Sequence, residues 1–274
     1  LQSVMQMGSP VFGGLLVSYF PVQTVLMIDL ATASFAVIPI LFIDIPQPPK
    51  LESINHEDDT IGKSLWRETV AGFRYLWSWK GLFILTVTIA IVPFFGRAAV
   101  ALVPLLINQH FKGGPLMWGW YGLADQVGVF IGGALLAMLG SRVKKFNVLL
   151  LAAFVFGAFS LVQGFSPENG YWYFLGATFM AGAAASMFFA TVYAIMQTTV
   201  PPETQGRVFS IYNSLFWGAG PLGLLIIGPL ADLIGVQAPF MMRGIAALIV
   251  GLIWAFSKSV RNIENPDYRP SAEI

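Results

Sequence analysis

Cysteine is absent from all 274 residues, which excludes disulfides, thiolate metal sites and cysteine nucleophiles. Charge is scarce too: 11% of the residues are Asp, Glu, Lys or Arg, against roughly 25% in a typical soluble domain. Water is therefore not the main solvent of this chain. The net charge of +1 gives no argument for a nucleic-acid partner. The two histidines, His56 and His110, fall in connecting segments with no second histidine nearby, so each reads as a solvated loop side chain. An enzyme site would need a cluster of His, Cys or paired carboxylates near a membrane face, and no such cluster occurs in the sequence. No enzymatic activity, metal or cofactor is therefore expected. Also missing are an initiator Met, a charged leader and a small-residue cleavage site, and Leu1 opens directly inside an apolar stretch. We read no signal peptide, and expect a piece of a longer protein.

What the chain has in excess is hydrophobicity, at 56% of residues. The apolar residues fall into blocks of about 20, the length of helix that crosses roughly 30 Å of hydrocarbon. Such blocks must be helices, because lipid offers the backbone no hydrogen-bond partners. Eight spans are expected, at 1–20, 22–43, 81–107, 117–140, 147–165, 171–197, 208–229 and 236–257. The fold class is thus an all-α membrane protein in a bilayer. Between the second and third spans, residues 44–80 form the only long polar stretch, carrying Pro46, Pro48, Pro49 and the acidic run Glu57-Asp58-Asp59. Within it, Leu65, Trp66, Val70, Phe73, Leu76 and Trp77 recur at helical spacing opposite Lys63, Arg67, Glu68 and Arg74, the pattern of an amphipathic helix lying on the inner leaflet.

Orientation follows from the basic residues, which short cytoplasmic loops retain. Twelve of the 15 lie on alternate loops: Lys50 to Lys80, then Arg142, Lys144 and Lys145, then Arg207, then Lys258, Arg261 and Arg269. The opposite loops hold Lys112 alone, and Arg97 and Arg243 fall inside spans. Both ends of the chain then face the cytoplasm.

An internal repeat is visible. Gly8-Ser9-Pro10-Val11-Phe12-Gly13-Gly14 in span one parallels Gly218-Ala219-Gly220-Pro221-Leu222-Gly223 in span seven, and the stretch from Val22 to Asp29 parallels that from Val236 to Arg243. A repeat that skips six helices and keeps orientation is a parallel one, with its axis along the membrane normal, as between the halves of major facilitator proteins.

The chain resembles the major facilitator superfamily. Gly8, Pro10, Gly13 and Gly14 look like the glycine-proline motif on the fifth helix of its proton-coupled drug antiporters. Gly140, Arg142, Lys144 and Lys145 resemble a degenerate cytoplasmic loop motif that lacks the acidic residue of the fuller form. The stretch from Pro202 through Gly206 and Arg207 to Ser210, followed by Ala231-Asp232-Leu233-Ile234-Gly235-Val236, is similar to the macrolide-efflux and siderophore-exporter branch. The resemblance implies that the spans are helices five to twelve of twelve. Residues 1–43 would end an N-terminal bundle, 44–80 be the central loop, 81–257 a C-terminal six-helix bundle and 258–274 a cytoplasmic tail. It also implies a proton-coupled alternating-access exporter of a small amphipathic, drug-like molecule, monomeric and in the bacterial inner membrane. A siderophore or metabolite exporter is the alternative, and a receptor that binds without transporting is a third.

Four ionisable residues fall inside the spans, where each costs roughly 2.5–3.5 kcal/mol on insertion scales and so faces a cavity or a partner. Arg97 and Asp125 are expected at similar depth on consecutive helices, either as a static pair or with Asp125 exchanging protons. Asp29 and Arg243 occupy equivalent repeat positions with opposite sign; a structural role is favoured for them, since they lie nearer helix ends where side chains snorkel. Gly128, Gly132, Gly133, Gly176 and Gly182 read as small residues that let helices approach. Trp118, Trp120 and Tyr121 read as an interfacial belt. Phe94, Phe95, Phe188, Phe189, Tyr193, Tyr212, Phe216 and Trp217 lie on helices that, by the resemblance, contribute to a central cavity.

Overall fold

A computed structural model of the protein describes residues 16, 19–40, 70, 72–74, 76–140 and 143–265. Among these residues there are ten helices and no strand. They are α1 (Val22–Ile40), α2 (Lys80–Ile89), α3 (Ile91–Ala101), α4 (Val103–Gln109), α5 (Pro115–Leu139), α6 (Lys145–Gly164), α7 (Tyr171–Thr199), α8 (Pro202–Ile234), α9 (Ala238–Phe256) and α10 (Lys258–Arg261). Six stretches are long and apolar enough to cross a membrane: Lys80–Ala101, Pro115–Leu139, Lys145–Gly164, Tyr171–Thr199, Thr204–Ile234 and Ala238–Phe256. They coincide with expected spans three to eight, while α1 covers the second. Gly8, Pro10, Gly13, Gly14, His56 and Arg142 lie outside the described residues.

Local chemistry sets the helix ends. Proline stands in the first turn of α5, α8 and α9, where its missing N–H would have had no partner anyway. Gly140 and Gly235 close α5 and α8 at φ of +51° and +101°, values that a side chain disfavours. The third span is not the single helix expected. It breaks at Ala90 and Leu102, because Pro93 and Pro104 cannot donate to the preceding turn. Leu102 N–H is instead shared between the carbonyls of Ala98 and Ala99.

Packing does not follow chain order. α5 lies against α7, α7 against α6, α6 against α9, α9 against α3 and α3 against α8, so the spans form an arc with α5 and α8 at its two ends. Since lipid is as apolar as leucine, close backbone approach holds such helices together more than the hydrophobic effect does. Glycines allow it. A Cβ on Gly128 or Gly132 would collide with the carbonyls of Phe179 or Ala183, one on Gly182 with the Asp125 carbonyl, and one on Gly223 with the Phe94 carbonyl. Gly176 departs from the packing expectation, with open space where its Cβ would be. The core between the helices is aromatic: Trp254 stacks on Phe188 at 5.4 Å between ring centroids, and its Nε1 donates to Thr88 Oγ1 at 2.8 Å.

The described part of the amphipathic stretch is docked on the bundle as well as facing outward. Leu76 and Trp79 are buried in the core, and a Cβ on Gly72 would press on Ile211 and Arg207 of α8. Phe73 and Trp77 stay exposed, with Trp77 edge-on to Phe83 at 4.9 Å.

Candidate functional site

The concave side of the arc encloses a cavity of about 810 Å³ to which all six spanning stretches contribute. Helical spacing puts Pro93, Gly96, Arg97 and Val100 of α3 on one face, opposite Phe216, Trp217, Gly220 and Leu224 of α8. Asp125 and Gln126 come from α5, Phe156 from α6, Ala185 and Phe189 from α7, and Arg243 from α9. Gly220 leaves room for Arg97, because a Cβ there would lie 2.5 Å from Arg97 Cδ and force that side chain to shift.

The charges are arranged differently from the sequence expectation. Arg97 and Asp125 line the same cavity, but no ion pair joins them among the described residues. Their spans are consecutive without being packing neighbours, since α3 lies on α8 and α9 while α5 lies on α7. Arg97 instead rests on aromatic faces, its guanidinium carbon 4.0 Å from the centre of Trp217 and 5.5 Å from that of Phe216.

The cation whose field acts on Asp125 is Arg243, though no direct ion pair joins these two either among the described residues. Arg243 does not snorkel; it is 5% exposed, donates to Gln163 Oε1, faces Tyr121 and sits between the rings of Phe156 and Phe240 at 5.2 and 5.3 Å. Gln163 passes the network on through Nε2 to Thr178 Oγ1 at 2.7 Å, and Thr178 donates to the Phe174 carbonyl at 2.8 Å. Arg243 Nε has no partner. Asp125 Oδ2 also accepts from Gln126 Nε2 at 3.2 Å. Asp29, by contrast, is exposed on α1 and is not among the residues lining the cavity.

Residues 3–274 match the description of the transmembrane secretion effector family. The chain belongs to this family of major facilitator transporters. It is 26% identical to macrolide efflux protein A of Streptococcus pyogenes over 264 residues, which cover 96% of this chain and 64% of that protein. Its likeness to macrolide efflux protein A of Enterococcus faecalis is 28% over 224 residues, covering 82% of this chain and 68% of that one. With the multidrug efflux pump Tap of Mycolicibacterium fortuitum it shares 28% identity over 200 residues, 71% of this chain and 47% of the pump. The chain thus spans about 64% of the length of the streptococcal relative. The family and these relatives are transporters, not enzymes.

The other expected site residues of this family member divide by burial. Trp217 lines the cavity together with Phe189 and Phe216. Phe94 and Phe95 face a separate apolar crevice of about 420 Å³ between α3 and α8, beside Gly218 and Leu222. Phe188 and Tyr212 are core residues, not cavity lining. Tyr193 stacks on Phe209 at 5.4 Å and its hydroxyl donates to Asn213 Oδ1 at 2.9 Å. Of the loop residues, Lys145 donates to Thr198 Oγ1 at 2.8 Å and pairs with Glu264 at 3.5 Å. Lys144, Lys145 and Arg261 share a polar recess with Gly140. Arg207 packs its Cβ against Gly72, and Gly206 borders open space.

Two further expectations change. His110 is half-buried, with Nε2 2.9 Å from both the Ser166 carbonyl and Gln237 Nε2, so it ties α4, the turn before α7 and the start of α9 together. Tyr121 is not a belt residue: it is buried, stacked on Phe174 at 5.6 Å and turned toward Arg243. Trp118 and Trp120 remain exposed. Sequence reasoning missed Gln163, Thr178, Gln126 and Phe156. The available signal was a glutamine inside an otherwise apolar span, which requires a hydrogen-bonding partner there.

Proposed function

We propose that this chain forms most of a secondary active exporter that carries a small hydrophobic or amphipathic, drug-like molecule out of a bacterial cell across the inner membrane. One observation carries the reading: a cavity of about 810 Å³ built by all six spanning stretches, with aromatic walls and three ionisable side chains at membrane depth. The likeness to macrolide efflux protein A and to a multidrug efflux pump supports the substrate class and the outward direction.

On this reading the spans number eight, helices five to twelve of a monomeric transporter with both ends of this chain in the cytoplasm. The two halves, related by an axis along the membrane normal, rock against each other around the site between them to alternate access. Protons drive the cycle, and Asp125 is the candidate carrier because it is the one acid among the described residues that line the cavity. Asp29 and Arg243, at equivalent repeat positions with opposite sign, play a structural role. A glycine-proline helix on each side, with Pro10 and Pro221, lets the halves slide. A siderophore or another metabolite is the second substrate class, favoured if drugs fail as substrates.

The test uses the full-length transporter, with its upstream coding sequence restored, in a macrolide-sensitive host. Labelled amphipathic drugs, a basic macrolide in one arm and an acidic drug in another, are compared, and at least one should accumulate less with the transporter than without it, and more again when a protonophore is added. Unchanged accumulation of both would reject drug export, and protonophore resistance would reject proton coupling. Full efflux with normal pH dependence in well-folded Asp125→Asn protein would remove Asp125 as carrier. For topology, single cysteines at Ser141 and Pro167 should label from opposite sides of the membrane; labelling from one side would reject the proposed orientation.

A further inference from the structure

The cavity charges do not cancel. Asp125 faces Arg243, whose guanidinium is also held by Gln163 and two phenylalanine rings. Arg97 is left without a carboxylate partner among the described residues. An unpaired cation at membrane depth is costly, and the fold does not bury it: Arg97 stays exposed to the cavity, its guanidinium carbon 4.0 Å from the centre of the Trp217 ring. No hydrogen bond or ion pair among the described residues engages its N–H donors, so the guanidinium can grip a planar anion with two parallel hydrogen bonds. The Trp217 side chain, 59% exposed, offers apolar surface beside that group.

From this geometry we infer that the cavity selects amphipathic organic anions, with Arg97 as the anchor for a carboxylate or sulfonate group and Trp217 as the platform for the apolar body. The ring holds the guanidinium in place before ligand arrives, so little side-chain entropy is lost on binding. In the surrounding low dielectric, Asp125 would repel the same anion if it were unneutralised, and Arg243 prevents this. The inference rests on the cavity being the site of the exported molecule and adds the charge of that molecule.

Two dyes that differ essentially by one sulfonate test it: anilinonaphthalene sulfonate and the uncharged phenylnaphthylamine. Each is titrated against full-length protein in phosphatidylcholine nanodiscs, with energy transfer from tryptophan as readout, using wild type, Arg97→Gln, Arg97→Lys and Trp217→Ala. Arg97→Gln should weaken the sulfonate dye about tenfold, the worth of one charge-assisted contact, and leave the uncharged dye unchanged. Arg97→Lys should recover part of the loss, since the charge returns without the flat fork. Trp217→Ala should weaken both dyes. A sulfonate isotherm indifferent to Arg97→Gln, with both dyes still weakened by Trp217→Ala, would overturn anion selection and leave the drug-site reading intact. Two dyes indifferent to every substitution would overturn both. Octanesulfonate should displace the sulfonate dye and short-chain phosphatidylglycerol should not. The reverse would assign the site to a lipid headgroup and overturn its role for soluble anions.

Discussion

The partner of Asp125 can be decided by coupling energies. The two alternatives are Arg97, expected from helix order, and Arg243, which faces it in the structure. Replacing Arg243 by Met removes a side chain only 5% exposed, leaving Gln163 Oε1 without its donor and Asp125 without its cation. Breaking a fully buried pair costs roughly 3–5 kcal/mol. Asp125 is half-buried, opens on the cavity and is not in direct ion-pair contact with Arg243, so separation and water together discount the loss to about 2 kcal/mol. Asp125→Asn in the Arg243→Met background then removes the orphan charge, giving non-additivity on the order of 1–2 kcal/mol. Arg97→Gln with Asp125→Asn should add to within about 0.5 kcal/mol, as independent sites do. The assay is equilibrium unfolding of the purified protein in mixed micelles of rising dodecyl sulfate content, applied to both cycles. Coupling in the Arg97 cycle with additivity in the Arg243 cycle would refute the assignment.

Gly223→Leu should separate α3 from α8, because even a Cβ there collides with the Phe94 carbonyl; overpacking costs roughly 1–3 kcal/mol, read as folded yield and thermal inactivation. Gly176→Leu, which meets open space, is the matched control and should express like wild type. Gln163→Leu removes the acceptor of Arg243 and the donor to Thr178, which keeps its bond to the Phe174 carbonyl, and should destabilise by roughly 1–3 kcal/mol in the same micelle titration, whereas Gln163→Glu should keep the Arg243 contact. His110→Ala should loosen the junction of α4, α7 and α9, seen as faster amide exchange at the start of α9 with exchange in α6 unchanged.

Sequence alone determined the solvent and the six spans from residue 80 onward, though not the breaks in the first of them. Those properties are local: twenty apolar residues must be a helix in lipid, and a missing proline N–H or a glycine at positive φ ends one without reference to any neighbour. Glycine spacing likewise showed which faces could approach, as Gly128, Gly132 and Gly223 do. Which helices approach was not legible, because chain order does not give packing order: α3 precedes α5 in sequence and packs on α8 and α9. The separation of Arg97 from Asp125, the core positions of Phe188 and Tyr212, and the contacts of Tyr121 with Phe174 and of His110 with Ser166 and Gln237 each depend on which helices meet. Charge type and depth can be read from a span, but the direction a side chain faces, and so its partner, is fixed only when six helices close around a shared cavity.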